Sequence, residues 1–103
     1  MSHKPVLLPQ VLELLAPRRG DVVVDATLGG AGHAESILDA NAPDGVLLGI
    51  DRDPAALRVA KERLARFGPR LRLAEGDYAD LDRHLRDAGL PPPRAILADC
   101  GLS

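Results

Sequence analysis

Four aspartates, Asp25, Asp51, Asp77 and Asp99, each stand at or just past the end of a strand-like segment in this 103-residue chain. Between the first two lies a glycine-rich turn, Asp25-Ala26-Thr27-Leu28-Gly29-Gly30-Ala31-Gly32-His33. Glycines let a backbone pass close beneath a ligand, and a helix starting there presents free N–H groups to a carboxylate or a phosphate. A plain tight turn needs glycine equally, so the loop alone leaves both readings open. If Gly30 and Gly32 are the first pair of a dinucleotide fingerprint, the third glycine position falls on Glu35. An acid there, and Asp25 before the loop, both oppose a pyrophosphate. The carboxylate of Asp25 suits accepting from an ammonium or orienting the loop, which favours a cofactor without phosphate.

Asp51 closes the second apolar run, where an acid accepts hydrogen bonds from ribose hydroxyls; the alternative is a capping or surface acid, with Asp53 two residues on. Arg52 would suit a 2′-phosphate, but its neighbour Asp51 opposes that charge. In Gly76-Asp77-Tyr78 the acid can accept from an exocyclic amino group and the ring can pack on a purine; a turn with a core aromatic is the alternative. Asp99 can hold a substrate amine or reach the cofactor, or else cap a following helix. Cys100 reads as a nucleophile or as a small buried hydrophobe. His33 reads as a cofactor contact or as a surface histidine.

The elements that must position these residues follow from pattern and punctuation. A short helix is expected over 10–15, started by Pro9 and ended by Pro17. Strands are expected over 22–26, a β-branched run carrying Asp25 near its end, and over 46–50, both with the pattern of a strand buried on both faces. A helix over 34–39 joins them. Asp53-Pro54 is a helix start, with Asp as N-cap and Pro at the first helical position. Leu57, Ala60, Leu64 and Phe67 then mark one helix face, which Gly68-Pro69 stops. Residues 70–74 alternate, as in a strand near a sheet edge. Asp80 is expected to cap a short helix reaching Ala88, with Gly89 as its stop, and a last strand is expected over 94–99. Strand and helix alternating in this way imply an α/β fold with a parallel sheet and right-handed crossovers. Such sheets bind ligands outside the carboxyl ends of their strands, where the four acids stand.

The totals bound the rest. Apolar residues make up 46% and charged residues 27%, ordinary for one globular domain. One Tyr, one Phe and no Trp argue against an aromatic platform for single-stranded nucleic acid on this segment. A net charge of −2 gives no broad footprint for a polyanion, so most of the surface for any RNA partner is expected outside these residues. A single cysteine excludes an internal disulfide, and the three histidines have no metal-ligand spacing. Neither a leader pattern over 1–9 nor a membrane span is visible, so the expectation is a cytoplasmic protein with no membrane partner.

Read together, His3-Lys4-Pro5-Val6-Leu7-Leu8, the loop from Asp25 to His33, Gly49-Ile50-Asp51-Arg52-Asp53-Pro54 and Ile96-Leu97-Ala98-Asp99 resemble one family over nearly the whole chain. It is that of the bacterial MraW-type methyltransferases, which modify the N4 amino group of a cytosine in small-subunit ribosomal RNA. The Asp-Ala-Thr-Leu-Gly-Gly stretch followed by Gly-His is far more specific than a generic glycine loop. The resemblance implies a Rossmann-like methyltransferase fold with sheet order 3-2-1-4, the remaining half of the fold lying beyond residue 103. Residues 1–103 would then be the N-terminal, S-adenosylmethionine-binding part of the domain. Ala31, Gly32 and His33 would line the methionine end of S-adenosylmethionine, Gly30 would also belong to the cofactor site, Asp51 would bind the ribose, Tyr78 would stand against the adenine, and Asp99 would complete the site. Asp99 is also the candidate catalytic acceptor for the cytosine amine. Ala31 stands where many members have glycine, which is tolerable at negative φ. Asp99-Cys100-Gly101-Leu102-Ser103 departs from the family's Asp-Leu-Gly-Val-Ser-Ser.

Two other classes compete with this enzyme reading. One is a non-catalytic S-adenosylmethionine-binding module. The other is a nicotinamide-binding half-domain, against which Asp25 and Glu35 argue. An order of 3-2-1-4 also leaves the fourth strand at an edge, where Ala95-Ile96-Leu97-Ala98 carries no charge to blunt it. Pairing of that edge with a second copy, or with further chain, is expected.

Overall fold

The computed structural model describes residues 18–26 and 32–97. Four strands run through it: β1 (Val22–Asp25), β2 (Val46–Asp51), β3 (Leu71–Glu75) and β4 (Ala95–Leu97). Three α-helices lie between them: α1 (Gly32–Ala40), α2 (Pro54–Arg63) and α3 (Leu81–Asp87). The strands pair in parallel in the order β3-β2-β1-β4, as expected.

The unbroken apolar runs have a direct cause. Successive side chains of a strand point to opposite faces, and here both faces are covered. Val23 and Leu47 face one way, into a core with Ala34, Ile37 and Leu38 of α1 and Leu57 and Ala60 of α2. Val24, Leu48 and Ile50 face the other way, against Leu81 and Leu85 of α3 and Leu90. A polar residue at any of 23, 24, 47 or 48 would therefore be buried on one face or the other.

Helix α2 starts as its sequence requires. Asp53 is extended, and its Oδ1 accepts from Ala55 N–H at 2.9 Å, with Pro54 at the first position. The expected apolar face survives, but the helix does not run its full length. α2 ends at Arg63, and the chain tightens into a 3-10 segment, Ala65–Arg70, broken at Gly68 by a φ of 58°. Leu64 and Phe67 still reach the same core as Ala60. Periodicity reported the buried face correctly; it did not distinguish an α-helix from an α-helix with a 3-10 extension.

Asp80 departs from expectation. It occupies the N-cap of α3, yet its carboxylate accepts no capping bond and lies 3.3 Å from Arg83 Nη2. The turn begins earlier, in a 3-10 segment Tyr78–Asp80, where Asp77 O accepts from Asp80 N–H at 3.0 Å. The carboxylate nearest the entering N–H groups is that of Asp77, 3.5 Å from Ala79 N. At the other end of α3, Gly89 has a φ of 69°, which suits the glycine expected there.

The two outer strands differ in dress. β3 has only half-buried side chains along most of its length, as an edge strand should. β4 flanks β1 on the other side, with Ile96 39% exposed. Among the described residues no helix is long and apolar enough to cross a membrane.

Candidate functional site

The carboxyl ends of β1, β2 and β3 stand side by side, and each brings an acid or leads to one. Asp25 ends β1, level with Gly49 of β2 and Leu97 of β4, and is 1% exposed. Asp51 ends β2 two residues further up, level with Glu75 of β3. The segment between β1 and α1 leaves the sheet at Asp25 and re-enters described structure at Gly32, the first residue of α1. The amino end of α1 is thus held above the same edge of the sheet.

Asp51 is held by its own loop. Its Oδ1 accepts from Asp53 N–H at 2.9 Å, so the carboxylate is folded back over the β2–α2 turn. Among the described residues Oδ2 accepts no hydrogen bond and Asp51 joins no salt bridge. An oriented carboxylate with a spare oxygen is suited to a vicinal diol.

The next strand is tied to this acid through the backbone. Gly76 N–H donates to Asp51 O at 2.9 Å, continuing the ladder one residue past β3. Gly76 has a φ of 149°, and a Cβ there would lie 2.9 Å from Cε1 of His84. Only glycine allows the chain to turn here so close to that ring. The turn leaves Asp77 exposed beside the Asp51 loop.

The residues expected to form the site divide accordingly. Asp51 and the Gly76-Asp77 turn are brought together by the Gly76–Asp51 hydrogen bond. Gly32 and His33 form the start of α1, and Tyr78 opens the 3-10 turn after Asp77. Gly30, Ala31, Asp99 and Cys100, and the expected helix over 10–15, lie outside the described residues, as do the side chains of His33 and Tyr78.

Glu35 needs a correction. The dinucleotide fingerprint places it against a pyrophosphate, but it is exposed and paired with Arg66 Nη2 at 2.9 Å. An acid one turn into a helix can point along the helix flank instead of over its end, and here it lies toward the exposed guanidinium of Arg66. The case against a pyrophosphate therefore rests on Asp25 rather than on Glu35.

His84 carries no site expectation from the sequence, where it is one of three histidines without metal-ligand spacing. It is buried at 5% exposure, its ring lying against Gly76 and its Nε2 3.2 Å from Asp77 O. Its partner is a backbone carbonyl, which leaves no side-chain pattern in the sequence to mark it. Among the described residues no group of His, Cys, Asp or Glu is arranged to hold a metal.

The chain resembles known proteins along its whole length. The model of the MraW methylase family matches residues 1–103. The ribosomal RNA small subunit methyltransferase H of Geobacter sulfurreducens is 54% identical over 102 residues, covering 99% of this chain and 33% of that protein. The enzyme of the same name from Thermomicrobium roseum is 46% identical, covering 99% of this chain and 31% of its own length. The chain thus spans about a third of the length of the curated relatives it matches. Among solved structures, TrmN from Thermus thermophilus superposes with a TM-score of 0.64 at 27% identity, covering 75% of this chain and 24% of that one. The C-terminal domain of precorrin-6Y C5,15-methyltransferase from Rhodobacter capsulatus gives 0.66 at 26% identity, covering 98% of this chain and 54% of that one. The sheet order and helix placement are those of a Rossmann-like methyltransferase fold, and the chain belongs to the MraW methylase family.

Proposed function

We propose that residues 1–103 supply the S-adenosylmethionine-binding part of a methyltransferase that modifies small-subunit ribosomal RNA at the N4 amine of a cytosine. The observation that carries the cofactor reading is the Asp51 carboxylate. It stands at the carboxyl end of β2, oriented by Asp53 N–H, with one oxygen spare. The RNA substrate is supported by the printed names of the relatives, and the cytosine amine by the motif resemblance.

The residues present fit the cofactor. Asp51 would take the ribose diol, and the Gly76-Asp77-Tyr78 turn, fastened to Asp51 by its backbone, would take the adenine. Gly30, Ala31, Gly32 and His33, leading into α1, would receive the methionine end, where free helix N–H groups favour a carboxylate. No phosphate needs to be held, which agrees with a buried acid at the end of β1.

When bound, S-adenosylmethionine supplies an electrophilic methyl group on a sulfonium. The protein's share is position and electrostatics. The lone pair of a cytosine amine is delocalised into the ring, so an acceptor beside the amine aids attack by aligning it and offsetting developing positive charge. Asp99 is the residue assigned to that role, with the base presented outside its stack.

Calorimetric titration of the chain with S-adenosylhomocysteine, beside the Asp51→Ala variant, tests the cofactor assignment. Binding by the wild type and its loss in the variant are expected. A folded wild type that ignores S-adenosylhomocysteine but binds a nicotinamide dinucleotide would overturn the cofactor. For the reaction, transfer of labelled methyl groups to small ribosomal subunits by the intact protein is expected, with a product digest showing N4-methylated cytidine. Methylation at any other atom would overturn the assigned amine.

A further inference from the structure

Behind the turn proposed to meet the adenine lies a buried histidine that the mechanism does not use. His84 sits in α3, on the core side of Gly76 and Asp77. Its Nε2 is 3.2 Å from Asp77 O, and a carbonyl can only accept, so Nε2 carries the proton and donates. The same carbonyl also accepts from Asp80 N–H at 3.0 Å. One residue earlier, Gly76 lies so close to the ring that a Cβ would come within 3.0 Å of Nε2. The peptide between Gly76 and the helix entry is therefore fixed at three points: Gly76 N–H on Asp51 O, Asp77 O on the imidazole, and Asp77 O on the 3-10 turn.

A buried imidazole is an expensive means of filling space that a leucine would fill without a polar atom to satisfy. The geometry points to a specific use. We infer that His84 is a positioning residue for the adenine end of the cofactor, setting the Gly76-Asp77-Tyr78 turn against the ribose acid Asp51. The inference rests on the cofactor reading above. His84 touches no part of the ligand itself. It holds the carbonyl of Asp77, so the carboxylate of Asp77 and the residue after it emerge at a set height above β2. The ribose and methionine contacts lie on β2, its loop and α1, none of which His84 bonds.

This separates positioning from general packing. A loss of core packing would weaken every ligand of the folded protein together; a loosened adenine turn would weaken only ligands that carry the base. The test titrates the intact protein with S-adenosylhomocysteine and with S-ribosylhomocysteine, which lacks the adenine. His84→Phe keeps a ring of similar size without the donor, and His84→Gln keeps an N–H that can reach the same carbonyl. For His84→Phe, affinity for S-adenosylhomocysteine is expected to fall about tenfold, the order of one lost hydrogen bond, while that for S-ribosylhomocysteine stays within about twofold. His84→Gln is expected to recover most of the difference. Equal weakening of both ligands, or no weakening of either, overturns the proposal, as does a glutamine variant no better than phenylalanine. Should His84→Phe not fold, His84→Gln against His84→Met makes the same comparison. A wild type that binds neither ligand would instead overturn the cofactor reading beneath it.

Discussion

The two ends of the sheet are built from opposite materials. At the amino end, polar groups are buried and matched. Asn41, fully buried after α1, donates from Nδ2 to Asp21 O at 3.0 Å. Its Oδ1 accepts from Arg70 Nη2 at 2.8 Å. Arg70 also donates from Nε to Gly45 O at 2.8 Å and from Nη2 to Leu38 O. One guanidinium and one amide thus close the end of α1 and the entries to β1, β2 and β3. Arg94 completes the set, its N–H bonded to Val22 O and its Nε 3.8 Å from Asp21 Oδ2. At the carboxyl end, acids stand in a row instead. Asp51 and Asp77 face no cation among the described residues, and their oriented oxygens accept only from backbone N–H groups of their own loops. An end that satisfies itself holds the fold; an end whose Asp51 and Asp77 carboxylates are oriented by their loops and face no cation among the described residues is open to a ligand rich in donors.

The comparison breaks most sharply at Gly45. A Cβ there would lie 2.2 Å from Cγ of Asn41, which is buried and bonded on both sides of its amide. Gly45→Ala must expel Asn41 and with it the bonds to Asp21 and Arg70. A loss of about 4 kcal/mol in stability is expected by denaturant unfolding, from overpacking together with stranded polar groups. Arg70→Met is expected to lose about 3 kcal/mol, since Gly45 O, Leu38 O and Asn41 Oδ1 then lose their donor. In either variant the fraction that remains folded should bind S-adenosylhomocysteine with unchanged affinity. Altered affinity would show that the two ends are coupled.

The converse substitution acts at the other end. Asp51→Asn keeps the size and one acceptor oxygen but removes the charge. Affinity for S-adenosylhomocysteine is expected to fall about thirtyfold, in line with the loss of charge-assisted hydrogen bonds to a diol. Stability should change by less than about 1 kcal/mol, because Asp53 N–H can bond the amide oxygen. A large loss of stability with unchanged affinity would make Asp51 a structural turn residue and remove the distinction between the two ends.

The same contrast governs what was legible in the sequence. The carboxyl end could be read because its residues obey local rules. Apolar runs ended by acids place Asp25 and Asp51, and Asp53-Pro54 opens α2 by a capping bond made two residues away. The amino end could not be read because its bonds are long-range. Asn41 and Arg70 are 29 residues apart, and Arg70 to Leu38 spans 32. No periodicity marks such a pair; Arg70 looked like the first residue of a strand. His84 was missed for a related reason, since its partner is a backbone carbonyl with no side-chain signature. Asp80 and Glu35 failed differently. Both are acids at positions where a local rule assigns a role, and in both an arginine within reach takes the carboxylate instead.

Glu35 offers the gentlest test of the boundary between the ends. It lies in the first turn of α1, near the proposed methionine site, yet its carboxylate turns aside to Arg66. Arg66 stands over the Phe67 ring at 4.1 Å and also approaches Asp39 Oδ1 at 3.8 Å, near the far end of the same helix. All three charged side chains are more than half exposed, so water screens the pair heavily. Glu35→Gln is expected to change stability by less than about 0.5 kcal/mol, and less still in high salt. Affinity for S-adenosylhomocysteine should stay within about twofold, because a carboxylate directed along the helix flank adds little field at the helix end. Arg66→Ala should cost somewhat more, about 1 kcal/mol, the excess coming from the stack on Phe67 and persisting in salt. If Glu35→Gln instead tightened binding of a pyrophosphate-containing nucleotide, Glu35 would be acting at the helix end after all. The carboxyl end would then owe its selectivity to an acid on α1 as well as to the acids on its strands.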